Sequence, residues 1–296
     1  MRRFLSALVL VGATLAGAQA AAQGIDSTPE SESSVILVSK PDVEWSPLNP
    51  ARGSRGPEAG ALWGDRTASG PSGFLVRFAE GFSSPPHIHN ITYRGVVISG
   101  LIHNDDPTAK EMWMPTGSFW TQPAGEVHIT AAQGKSNLAY IEIAEGPYLV
   151  LPGEQAFDRG ERPINVDPSN HVWLDSSDLA WIDRREASDV GPAVAFLWGS
   201  PQPGQLNGAL VKLPTGFTGT MRSRGSTFRA VAIEGRVQLH APGEADPTTL
   251  EPGSYFGSKG QSVHRVSCEV EGPCILYVRA EGELEVGPAL PEAAGR

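Results

Sequence analysis

Two histidines, His87 and His89, stand two apart in the run Pro85-Pro-His-Ile-His-Asn-Ile-Thr-Tyr-Arg94. Side chains alternate faces along a strand, so on a strand both imidazoles point the same way. A third histidine, His128, opens another apolar run just after Pro123 and Gly125, a pair that builds a turn. Imidazole nitrogen is a ligand for divalent transition ions. Two of them from one strand and a third from another form a candidate metal site. The same residues, buried and hydrogen-bonded, would also serve a barrel that holds no ion.

The strands that must position them carry a recognisable frame. Gly81, His87, His89 and Gly100 match the pattern G-x5-H-x-H-x3/4-E-x6-G, and Gly117, Pro123, Gly125 and His128 match G-x5-P-x-G-x2-H-x3-N. Together they resemble the two motifs of the cupin superfamily. Two positions depart from it: Tyr93 occupies the slot of the glutamate ligand, and Ala132 replaces the final asparagine. The resemblance therefore implies a site of three neutral histidines holding one divalent transition metal (Fe, Mn, Zn, Ni or Cu), with positions left open to water or substrate. Tyr93 is the expected catalytic residue, its phenol donating a hydrogen bond to a bound oxygen. Arg94 has the wrong parity for that cavity.

The chain then repeats. Leu62-Trp63-Gly64 recurs as Leu197-Trp198-Gly199, a shift of 135 residues that also carries Gly81 to Gly216, Arg94 to Arg229 and Gly100 to Gly235. With one residue more, Gly117 matches Gly253 and His128 matches His264. At that period the unit is a whole domain. Apolar runs such as Phe74–Phe78, Tyr93–Ile98 and Leu138–Ile143 are strand-like and bounded by Gly, Pro or Asn, and no helical period persists beyond the N-terminus. The expected fold is all-β: two tandem double-stranded β-helix (jelly-roll) barrels, as in a bicupin. The expected limits are residues 35–150 for the first barrel, 151–170 for a linker and 171–288 for the second barrel. In the second copy the 135-residue shift puts Arg222 and Arg224 at the places of His87 and His89, and only His264 remains. Guanidiniums repel a cation, so no metal is expected there. The arginines either grip an anion or pair with acids in a barrel kept for stability.

Composition narrows the partners. The 296 residues include 40% hydrophobic and 19% charged residues, with 34 Gly and 25 Pro, which suits short strands joined by turns. A formal net charge of −10 argues against nucleic acid or an anionic membrane as partner. Residues 1–22 read as a secretory signal: Arg2 and Arg3, an apolar run from Phe4 to Ala16, and small residues before a cleavage point after Ala20 or Ala22. That run is too short to anchor the protein in a membrane. Periplasmic or secreted location is expected, as monomer or homodimer. Cys268 and Cys274, the only cysteines, flank a turn-like stretch and are expected to join as a disulfide after export.

Function is read from the site. Related cupins cleave carbon–carbon bonds with dioxygen, so the resemblance implies a mononuclear-metal dioxygenase-type enzyme acting on a small oxygen-rich or aromatic molecule. The alternative is a non-catalytic metal or small-molecule binding module. Trp113, Phe119 and Trp120 are candidates for an apolar wall around the site or for plain core. Glu126 shares parity with His128 and is either a base beside the ligand or an exposed turn residue.

Overall fold

A computed structural model describes residues 35–183, 190–241, 244–259, 261–269 and 272–288. The expected signal segment lies outside the described residues. The first ten strands are β1 (Ile36–Val38), β2 (Trp45–Pro47), β3 (Glu58–Trp63), β4 (Ser72–Phe78), β5 (His87–His89), β6 (Tyr93–Asp105), β7 (Phe119–Gln122), β8 (Ile129–Ile143), β9 (Val150–Pro152) and β10 (Ile164–Val166). Seven of them form one sheet in the order β10-β7-β6-β8-β4-β3-β2, and β5 pairs with β9. Strands β6 and β8 are long enough to serve both layers. Their register shifts twice, between Val97 and Ser99 and between Ser99 and Leu101. Irregularities of this kind bend a strand and raise its twist. Gly100 supplies a left-handed φ of 80° at that bend. Beyond it Ile129–Gln133 pairs with the end of β6, and bridges run from Ser83 to Ala131 and from His87 to His128. The barrel thus closes around β5.

The second half supplies β11 (Ala193–Gly199), β12 (Leu206–Leu213), β13 (Thr218–Ser223), β14 (Thr227–Glu234), β15 (Val237–His240), β16 (Thr248–Leu250), β17 (Tyr255–Lys259), β18 (His264–Cys268), β19 (Cys274–Glu281) and β20 (Leu284–Pro288). They form sheets of order β1-β17-β14-β19-β12-β11 and β16-β15-β18-β13-β20. The two halves are therefore tandem jelly-roll barrels. The helical elements among the described residues are short 3-10 turns, and no described helix is long and apolar enough to cross a membrane. Cys268 and Cys274 are joined by a disulfide, with Cα atoms 5.8 Å apart, between β18 and β19.

Three apolar clusters hold the molecule. One fills the first barrel around Phe74, Ile102, Met114 and Trp120. One fills the second around Val211, Phe228, Phe256 and Leu276. The third draws on both halves, with Trp63, Phe119 and Tyr140 packed among Leu210, Tyr255 and Tyr277. Two boundaries differ from the sequence expectation. Strand β1, expected in the first barrel, pairs with β17 of the second, Val38 opposite Tyr255. The expected linker 151–170 instead carries β10, which pairs with β7 of the first barrel, Val166 opposite Phe119. Each barrel's lead-in segment completes the sheet of the other. These short apolar runs read as strands in the sequence, but periodicity does not say which sheet edge a strand joins.

Candidate metal centre

His87 and His89 lie on β5, and His128 immediately precedes β8, bridged to His87 by backbone hydrogen bonds of 3.0 Å in both directions. All three are buried, and their ligand nitrogens lie within 4.8 Å of one another. The motif glycine Gly125 holds the approach to His128 at φ 78°, with the Phe157 carbonyl 2.4 Å from where a Cβ would stand, so only glycine fits there.

The ring tautomers follow from their neighbours. His87 Nδ1 faces the Pro85 carbonyl at 3.0 Å, His89 Nδ1 the Leu149 carbonyl at 2.9 Å, and His128 Nδ1 the Glu126 carbonyl at 3.2 Å. A carbonyl only accepts, so each Nδ1 carries the proton and each Nε2 keeps its lone pair. Burial lowers all three pKa values, that of His128 to about 3 and that of His89 well below its ordinary range, where the charges of His128 and His87 act in the same direction as burial. The imidazoles are thus neutral at pH 7. His128 Nε2 is buried with no hydrogen-bond partner. An orphaned buried acceptor is costly, and a cation shared with His87 and His89 satisfies it. The donor set therefore fits a divalent transition metal.

His87 and His89 face a cavity of about 50 Å³, and His128 packs against both, its ring centroid 4.2 Å from that of His87. Tyr93 also lines the cavity, but its hydroxyl donates to Asn104 Oδ1 at 2.9 Å. Burial raises the phenol's pKa, so it stays protonated. Its single proton is committed to Asn104, contrary to the sequence expectation of a donor free for a bound oxygen. Asn104 donates to Gln122, and Gln122 donates to the Glu126 carbonyl, the acceptor that also orients His128. Tyr93 is tied through this relay to the carbonyl that orients His128.

Of the expected wall residues, Trp120 lines the cavity. Phe119, on the opposite parity of β7, belongs to the cluster between the barrels, and Trp113 donates to Glu111 outside. The Glu126 carboxyl lines a separate outer cleft beside Asp158 and Arg162, where burial raises its pKa. Arg94 stacks on Trp198 of the second barrel, 4.1 Å from the ring centroid, in keeping with its parity.

The sequence pattern does not find Tyr148. It lies after Gly146-Pro147, outside both motifs, yet its hydroxyl sits 3.2 Å from His89 Nε2 and its ring stacks on His89 at 4.4 Å. Burial holds this phenol well above its ordinary range, so it donates to the lone pair of His89. Arg52, on the 3-10 turn Pro50–Arg55, also reaches the cavity and lay outside every sequence signal.

The second barrel lacks the triad, but not as the repeat alignment puts it. Met221 pairs with His264 as His87 bridges to His128, so Met221 and Ser223 hold the inward positions. Both are buried, whereas Arg222 and Arg224 face outward and pair with Glu285. His264 is buried against Phe228, hydrogen-bonds Ser258 at 2.9 Å, and is held neutral by burial, at about 4.

The family model described as a domain of unknown function (DUF4437) matches residues 36–287. No curated protein matches the sequence. Among solved structures, a candidate dioxygenase from Nostoc punctiforme is similar, with TM-score 0.62 and 14% identity, covering 89% of this chain and 86% of that one. A salicylate 1,2-dioxygenase from Pseudaminobacter salicylatoxidans gives 0.51 and 13%, covering 87% and 86%. An oxalate decarboxylase from Bacillus subtilis gives 0.51 and 13%, covering 83% and 76%. At such identities the likeness is one of fold, and the fold is that of the cupins.

Proposed function

Because the chain belongs to the family described as a domain of unknown function (DUF4437), we propose its activity from the site itself: a mononuclear-metal bicupin enzyme of the dioxygenase type, acting on a small oxygen-rich or aromatic molecule. The observation that carries this reading is the triad. Three neutral imidazoles converge with their lone pairs free of carbonyl contacts, and two of them open onto an otherwise largely apolar cavity. A purely structural ion needs four closed ligands, whereas three leave room for a substrate. His87, His89 and His128 would hold the ion, which supplies Lewis acidity and, if iron, redox access to dioxygen. Phe82, Trp120 and Ile141 line the cavity and would keep water from a reacting molecule. The Nostoc and Pseudaminobacter structures, described as dioxygenases, support the choice of reaction class. Export to the periplasm or beyond belongs to the same proposal. The signal-like N-terminus and the Cys268–Cys274 disulfide, at home in an oxidising compartment, support it. Origin by duplication is supported by the register shift before Trp63 and its counterpart before Trp198.

Protein purified from an exporting host should contain about one equivalent of a first-row transition metal, and His128→Ala should lose most of it. Loaded anaerobically with Fe(II), mixed with β-diketones, hydroxyacetophenones or catechols and then exposed to air, it should consume oxygen. His87→Ala should abolish that uptake. Metal-replete protein that binds these compounds without turnover would instead be a binding module.

A further inference from the structure

We propose that the first barrel selects a small carboxylate, with Arg52 as the residue that recognises its charge. This rests on the proposed metal site and specifies its ligand. Among the described residues, the side chains lining the cavity include no Asp, Glu or Lys. Arg52 is therefore the one formally charged side chain among the described residues of the wall. The side chain is half-buried, and its stem crosses Gly56, where an added Cβ would stand 3.3 Å from the Arg52 Cβ. No carboxylate among the described residues pairs with it, although other arginines, such as Arg77, Arg162 and Arg222, do find acids.

Charge balance then decides the ligand. A divalent ion on three imidazoles keeps its full charge, because Tyr93 stands where the cupin motif has its glutamate, and its hydroxyl donates to Asn104. Arg52 adds a further positive charge, and the described lining residues supply no negative one. Cations held partly out of water need counter-charge. A carboxylate provides it, and it matches the guanidinium fork with two parallel hydrogen bonds. The ligand class is thus a short carboxylate, one end addressed to Arg52 and an oxygen available toward the triad. The apolar flanks formed by Leu48, Pro57 and Val76 favour a compact, weakly hydrated remainder.

The test uses calorimetry on the full chain, zinc-loaded and metal-free, with pyruvate, glyoxylate and benzoate against their neutral amides. We expect at least one acid to bind the zinc-loaded protein about tenfold or more tightly than its amide. Arg52→Gln should weaken that acid by about 10- to 100-fold, roughly 1.4–2.7 kcal/mol, and leave the amides and the zinc content unchanged. Arg52→Lys, which keeps the charge without the fork, should fall between. Equal binding of acid and amide, an Arg52→Gln protein that binds acids as the parent does, or no binding by any acid at about 10 mM would overturn the proposal. Failure of the parent to take up zinc would defeat the metal reading instead; the acid preference and its dependence on Arg52 are then read on the metal-free protein.

Discussion

Tyr148 sets the state of His89. Its hydroxyl donates to the lone pair that a metal would use, so ion binding must displace that hydrogen bond. A hydrogen bond of this kind contributes about 1 kcal/mol, and a buried acceptor left without one costs about 1–3 kcal/mol. Tyr148→Phe should therefore lower the melting temperature of the metal-free protein and tighten zinc binding by about fivefold or more. Weaker zinc binding in the variant would show that the phenol assists the ion and does not compete with it. His264 makes a pH prediction in the other barrel. Its folded pKa, about 4, lies below the unfolded value near 6.5. Between those limits the unfolded chain binds the extra proton, so the stability this group contributes is complete above pH 6.5 and lost as pH falls toward 4. The loss approaches about 1.4 kcal/mol per pH unit. Urea unfolding at pH 7 and pH 5 should show His264→Leu less acid-sensitive than the parent; an unchanged difference would refute the assignment. Of these residues the sequence makes His87, His89 and His128 legible, because ligand spacing is imposed by strand parity and turn glycines. Tyr148 and Arg52 reach the cavity from irregular segments, where no period ties position to direction.

At the scale of elements, β13 shows what the repeat hides. The glycines Gly81 and Gly216 and the threonines Thr92 and Thr227 keep a shift of 135 residues. Between them, Met221 stands where His87 does, a shift of 134 fixed by their partners His264 and His128. One residue is lost before the strand and regained after it, and the loops absorb both changes. A one-residue slip turns every side chain to the other face, so an ungapped reading puts the arginines inside when Met221 and Ser223 are there. Met221→Ala should then cost roughly 2–5 kcal/mol by leaving a cavity in the core. Arg222→Gln, breaking a pair whose arginine is 44% exposed, should cost about 1 kcal/mol or less. Chemical denaturation of the two variants gives the comparison, and the reverse order of costs would place the arginines inward. The same logic explains why strand identity was legible while strand destination was not. Val35–Val38 shows as an apolar run, but its pairing with β17 depends on an edge some two hundred residues away.

The two barrels meet through residues at corresponding positions, alike at all but one pair of those named below. Arg94 stacks on Trp198 and Arg229 on Trp63, 4.1 and 4.0 Å from the ring centroids, each reaching into the opposite barrel. Strands β1 and β10 exchange edges in the same reciprocal sense. Among these contacts lies one asymmetric pair: Glu142 of β8 accepts from Arg279 of β19 at 2.7 Å, with side chains 1% and 6% exposed. The Glu142 carboxylate also accepts from Tyr140 and Tyr277, one from each barrel, both at 3.1 Å. Those phenols in turn accept from Trp63 and Trp198. Arg279 sits nearly midway between the two indoles, 5.7 and 5.5 Å from their centroids. Removing one member of a buried pair strands the other's charge and costs roughly 3–5 kcal/mol. Arg279→Met should therefore destabilise the whole molecule by about that much in a single cooperative transition, since the cluster belongs to both barrels. The surroundings are nearly symmetric, with a Tyr and a Trp from each side. The exchanged variant Glu142→Arg with Arg279→Glu keeps both charges in place and should recover more than half of that loss. Denaturant titration of the parent, each single variant and the exchanged double variant gives the coupling directly. If the double variant is no more stable than the worse single one, the site reads orientation as well as charge, and the near-symmetry of its partners does not extend to energy.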